Sequence, residues 1–155
     1  DKRSLTEIID NDLAVFSKMI SDNKLQGLMP AHVQFEKVDK NPVGYSHHWL
    51  QTILKKKLGF TGVIFSDDLS MVGAGEHLSY PEKAQKASQA GCDMLLVCNT
   101  PKGVEEIIEN CNVDHTRSNS AANSLIVDNK PDLEQVNRSA RWQQSKILID
   151  NISGT

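Results

Sequence analysis

Three short apolar runs, each unbroken and each closed by polar residues, set the tightest limit on what this chain can fold into. Gly27-Leu28-Met29 leads to Pro30-Ala31-His32-Val33. Gly62-Val63-Ile64-Phe65-Ser66 leads to Asp67-Asp68. Asp93-Met94-Leu95-Leu96-Val97-Cys98 leads to Asn99. Continuous runs of about five residues fit strands covered on both faces, as in a parallel sheet flanked by helices. Their spacing of about 30–35 residues is the size of a βαβ unit.

Helix signals fill the gaps. Ser4 and Glu7 form a capping box, and Leu5, Ile8, Ile9, Leu13, Phe16, Met19 and Ile20 recur at helical spacing, which predicts a helix over 5–21. Ser46 caps a second helix over 49–58, stopped by Gly59. Its apolar stripe is Trp49, Leu50, Ile53, Leu54 and Leu58, with Lys55, Lys56 and Lys57 on the wet side. Ser79, Pro81 and Glu82 open a third helix that Gly91 ends, and Thr100-Pro101 open a fourth carrying Val104, Ile107 and Ile108. The Asn- and Ser-rich stretch 112–130 reads as a polar linker. Residues 131–155 read as a C-terminal helix with Leu133, Val136, Ala140 and Ile147 on one side.

The alternation of helix and strand means an α/β fold. Three parallel strands leave two unpaired edges, whereas an open doubly wound sheet has five or six strands and a TIM barrel eight. Residues 1–111 are therefore expected to be part of a larger α/β fold. The chain opens on Asp1 rather than Met, so the lack of a leader peptide carries little weight. A net charge of −3 and a pI near 5.9 lack the basic excess of a nucleic-acid binder, and no apolar run reaches membrane-spanning length. Cys92, Cys98 and Cys111 are too few for a secreted disulfide framework and read as reduced thiols in a cytosolic protein.

In parallel α/β folds chemistry gathers at the carboxyl ends of strands. Asp67 and Asp68 stand directly after an apolar strand, where an unpaired carboxylate is costly. Either they serve chemistry or they cap the following turn through Ser70 and main-chain N–H groups. His32 ends the preceding strand, either lining a site or bonding to main chain. His47 and His48 are adjacent, so on a helix they point about 100° apart and read as surface residues. His77 and His115 have no metal-ligand spacing around them. Cys92 and Cys98 read as core. Gly73 and Gly75 lack the flanking strand and Lys-Ser/Thr of a phosphate loop and read as points where the chain bends.

Residues 62–71, GVIFSDDLSM, resemble the nucleophile segment of bacterial family-3 glycoside hydrolases, and among these the cytoplasmic β-N-acetylglucosaminidases of peptidoglycan recycling. Leu28-Met29-Pro30-Ala31-His32-Val33 and residues 91–99, GCDMLLVCN, match the neighbouring strands in order, and residues 49–60 the helix between. The likeness covers roughly residues 1–110. It implies the C-terminal part, the last three strands and helices, of a TIM-type (β/α)8 barrel. It also implies retaining hydrolysis of terminal β-linked N-acetylglucosamine from muropeptides, with Asp67 as nucleophile, no cofactor and no metal. Alternation along the strand separates Asp67 from Asp68, and only the resemblance says which one meets the sugar.

The family's acid/base histidine lies on a loop with a Lys-His-Phe-Pro-Gly-His-Gly type motif, and no such motif occurs here. Its sugar-holding arginine, aspartate and Lys-His contacts also match nothing in this chain, so the substrate-binding residues are unknown. Retaining hydrolysis needs both a nucleophile and a proton donor. The chain alone is thus expected to lack appreciable glycosidase activity and to need the complementary N-terminal barrel half. Two other readings compete: a non-catalytic barrel remnant that folds only with a partner, and a Mg²⁺ site on Asp67 and Asp68. No nucleic-acid or membrane partner is expected, and the location is cytoplasmic.

Overall fold

The computed structural model describes residues 1–112, 115–126 and 132–153. The chain divides into two compact units, Asp1–Leu125 and Ile126–Thr155. The first unit begins with α1 (Leu5–Asp10) and α2 (Asp12–Ser21). The predicted single helix is broken at Asn11, whose side-chain amide donates to the Glu7 carbonyl and competes with continued helix bonding. The Ser4–Glu7 capping box is formed. Of the expected stripe only Ile8 is fully buried, and Phe16 is 41% exposed.

β1 (Gly27–Leu28) pairs in parallel with β2 (Val63–Ile64), Gly27 opposite Val63 and Leu28 opposite Ile64. Among the described residues two strands replace the three expected. The 93–98 run meets the residue just after β2 at one isolated parallel bridge, Phe65 to Met94. The physical reason lies at Ser66. Its N–H donates to the Met94 carbonyl at 2.7 Å, but the next rung, Leu96 N–H, goes to the Ser66 hydroxyl at 2.9 Å rather than to a main-chain carbonyl. The ladder is taken over by a side chain before it becomes a strand.

Between β1 and β2 lies a π-helix (His48–Lys57), in the place where an α-helix is expected. Leu58 N–H donates to the Ile53 carbonyl, five residues back, and Ser46 Oγ accepts from Trp49 N–H at 3.0 Å as the sequence predicts. The pair Trp49 and Ile53 packs with Ile8. The pair Leu50 and Leu54 joins Phe60, Ile64, Leu69, Ala84, Ala87, Ala90 and Cys92 in the larger core. Ile64 therefore faces the helices. Phe65, one residue on, faces the other way and lies over Gly27, where an added Cβ would stand 3.0 Å from its ring. Gly62 has no room for a side chain at all, because Gln26 main chain and the Phe60 ring fill that space.

α3 (Tyr80–Ala90) opens with the Ser79–Glu82 capping box and ends at Gly91 in the left-handed conformation (φ 116°). α4 (Pro101–Asn110) follows Thr100. α5 (His115–Ser124) occupies the stretch expected to be a loop. It is held by polar anchors instead of an apolar stripe. Arg117 donates to the carbonyls of Cys92 (2.6 Å) and Ser88 (2.9 Å), and Ser118 Oγ donates to the Asp93 carbonyl. In the second unit the single predicted helix is two, α6 (Leu133–Arg138) and α7 (Ala140–Ser153). Ser139 takes an extended conformation between them, and its hydroxyl accepts from Trp142 N–H. Leu133 and Ile147 are exposed.

Candidate functional site

The carboxyl ends of β1 and β2 bring together the residues singled out in the sequence. Beyond β2 the main chain is held by Phe65 N–H to the Leu28 carbonyl, by Ser66 N–H to the Met94 carbonyl and, one residue out of step, by Leu69 N–H to the Leu96 carbonyl. This backbone fixes Asp67 and Asp68, both half-buried.

The two carboxylates are used differently. Asp68 Oδ1 accepts from Ser70 N–H and Cys98 N–H, each at 2.9 Å, and Oδ2 accepts from Ser70 Oγ at 2.6 Å. Burial works to raise its pKa, but these donors outweigh it and hold the group below the ordinary carboxylate range. Asp68 is therefore the turn-capping residue, and it ties the loop after β2 to the end of the 93–98 segment. With three donors satisfied, it has little left to offer a cation. Asp67 Oδ1 accepts only from the adjacent Asp68 N–H at 2.9 Å. Among the described residues no donor reaches its second oxygen, so Asp67 keeps acceptor and nucleophilic capacity.

His32 takes the main-chain reading. Its Nε2 lies 3.0 Å from the Asp68 carbonyl. A carbonyl only accepts, so Nε2 is the donor in this bond. Tyr45, which the sequence did not flag, packs its ring 5.9 Å from the His32 ring and donates its hydroxyl to the Ala74 carbonyl at 2.9 Å. Burial, with a smaller effect from Cys92, pushes its phenol up to about 12, so it remains a donor at neutral pH. A lone tyrosine in a polar stretch has no periodicity to mark it.

The other candidates lie apart from this cluster. His47 and His48 are exposed, as expected. Cys92 is buried, and burial followed by the neighbouring Asp93 pushes its thiol up to about 12. Cys98 corrects the reading of both cysteines as core, since it is exposed. Its main chain is needed at the site and its side chain is left outside. Gly75 (φ 99°) ends a 3₁₀ turn, Val72–Ala74, and so serves as the bend that was predicted.

Residues 1–127 match the family model described as the glycosyl hydrolase family 3 N-terminal domain. A β-hexosaminidase of Tolumonas auensis is 42% identical over 146 residues, covering 94% of this chain and 43% of that protein. A β-hexosaminidase of Methylococcus capsulatus is 50% identical over 109 residues, 70% of this chain and 32% of that protein. Among solved structures, NagZ from Neisseria gonorrhoeae in complex with N-trifluoroacetyl-D-glucosamine superimposes with a TM-score of 0.82 at 34% identity, covering 100% of this chain and 45% of that one. The chain thus spans less than half the length of the curated relatives it matches.

Proposed function

This chain belongs to glycosyl hydrolase family 3, and we propose that it supplies the nucleophile-bearing part of a retaining β-hexosaminidase that releases terminal β-linked N-acetylglucosamine. Asp67 is the nucleophile. It attacks the anomeric carbon, expels the aglycone oxygen and forms a glycosyl-enzyme that water then hydrolyses. The observation that carries this is the division of labour at the turn. Asp68 has its carboxylate committed to three donors, while Asp67 beside it is oriented by one amide and, among the described residues, keeps an oxygen unpaired.

In this reading the chain forms the last βα units of a (β/α)8 barrel. The complementary portion supplies the proton donor and the sugar contacts. The substrates are muropeptides of peptidoglycan recycling in the cytoplasm. Three features support it: the length of the relatives, free cysteines at Cys92, Cys98 and Cys111, and an open apolar groove beside β1 lined by Leu13, Phe16, Leu28 and Met29. That groove is where further barrel would pack. Among the described residues no helix is long and apolar enough to cross a membrane.

The test is a hybrid in which this chain replaces the matching part of the Tolumonas auensis protein, assayed on an aryl β-N-acetylglucosaminide. Turnover is expected, and Asp67→Asn should lower kcat by at least ~10³-fold while leaving sugar binding largely intact. Asp68→Asn should be milder. Equal losses at the two positions would overturn the assignment. The 155-residue chain alone should show no comparable rate, because general acid catalysis by itself contributes about 10²–10⁴-fold. Near-hybrid rates from the lone chain would overturn the need for a complementary portion.

A further inference from the structure

We infer that His32 and Tyr45 act as a pair of positioning residues, gripping the main chain of the loop behind Asp67 so that its carboxylate is aimed. This rests on the reading of Asp67 as nucleophile and extends it to residues that do not touch the sugar.

The grip has two points. His32 Nε2–H donates to the carbonyl of Asp68, across 36 residues of sequence. Tyr45 Oη–H donates to the carbonyl of Ala74. Both donors come from the stretch between β1 and the π-helix, their rings are in contact, and both acceptors are main-chain carbonyls of a single loop. The Asp68 carbonyl also accepts from Met71 N–H at 3.1 Å, so the turn's own bond and the His32 bond use both of its lone pairs. Close approach accompanies the bonds. A Cβ at Gly73 would stand 3.0 Å from the His32 Cβ, so glycine lets the loop lie against the imidazole.

The link to Asp67 runs through the intervening residue Asp68. The one hydrogen bond of Asp67 among the described residues is from Asp68 N–H, so the Asp68 residue that orients the carboxylate is itself held by His32. A nucleophile aimed by its own turn is only as well placed as that turn. Side-chain bonds to main-chain atoms can fix it without adding any group to the reaction.

The experiment uses the hybrid enzyme of the preceding section, below its unfolding temperature, with His32→Leu, His32→Gln and Tyr45→Phe. Gln places an N–H donor near the Nε2 position, Leu places none, and Phe keeps the ring while removing the hydroxyl. His32→Leu should lower kcat about 10- to 100-fold with KM within about twofold, since a small misplacement costs rate rather than binding. His32→Gln should recover most of that loss, and Tyr45→Phe should cost less than His32→Leu. Equal impairment by Leu and Gln, or a change in KM alone, overturns the proposal. Long-range ¹⁵N NMR of the same hybrid reads the ring directly. An Nε2–H tautomer is expected, and an Nδ1–H tautomer overturns the grip whatever the activity. If the unmutated hybrid shows no Asp67-dependent turnover, the failure lies in the functional reading, and the NMR result still decides the contact.

Discussion

At the amino end of β2, Asp93 is 6% exposed and fully engaged: its Oδ2 accepts from Ile64 N–H at 2.9 Å, and Arg117 Nε and Lys55 Nζ stand 3.4 and 4.0 Å away. At the carboxyl end, Asp67 is half-buried and oriented by one amide. The two carboxylates lie at opposite ends of the same βα unit, yet one closes a structural network and the other is left with capacity. The difference shows how a short parallel sheet can separate its duties. Charge is neutralised where the helices must be locked to the strands, and kept available where a ligand can arrive. Asp68 stands between these extremes, a carboxylate just beyond the carboxyl end of β2 that is nonetheless spent on structure.

Stability measurements on the 155-residue chain can break or sharpen that contrast. Urea unfolding can be followed by the fluorescence of Trp49, which is 4% exposed. Asp93→Ala should cost the most, about 2–4 kcal/mol, chiefly because it leaves the buried Ile64 amide unsatisfied, with a smaller loss from the half-exposed Arg117 and Lys55 charges. Asp68→Ala should cost about 1–3 kcal/mol, from the unpaired Ser70 and Cys98 amides. Asp67→Ala should stay within about 0.5 kcal/mol of the parent. If Asp67→Ala cost as much as Asp93→Ala, the separation of duties would be wrong.

A pH series sharpens the middle case. The folded-state pKa of Asp68 is lowered, so its contribution is present above the ordinary carboxylate value of about 3.9 and is lost as pH falls through the lower folded value. The gap between parent and Asp68→Ala should therefore be largest near neutrality and shrink below about pH 4. Asp39 also has a lowered pKa. Burial opposes that shift, but Ser46 and Asn41 hydrogen bonds outweigh it, so both proteins should keep some acid sensitivity. A gap that stays constant with pH would mean the Asp68 carboxylate is not held as described.

Much of the local structure was legible because it is written in side chains that act on their own neighbours. Ser4 with Glu7, Ser79 with Glu82, Ser46 before Trp49, and Gly91 as a stop all do in the structure what their spacing predicts. The features that escaped depend on partners far along the chain. α5 has no apolar stripe to read, since Arg117 and Ser118 hold it to main-chain carbonyls about 25 residues away. The breaks at Asn11 and Ser139 come from short polar side chains bonding locally inside sequences with helical periodicity. At the site, Asp67 and Asp68 were visible as a pair. Which of them had its oxygens spent depended on where Cys98 N–H falls, and no spacing rule gives that.

The Ser66 hydroxyl that receives the Leu96 amide carries a last consequence. Ordinarily a sheet is indifferent to the identity of its residues, because every peptide brings the same two hooks. Here one stitch of the seam is a removable oxygen, so a change as small as serine to alanine would act on the hem of the fabric as well as on its surface.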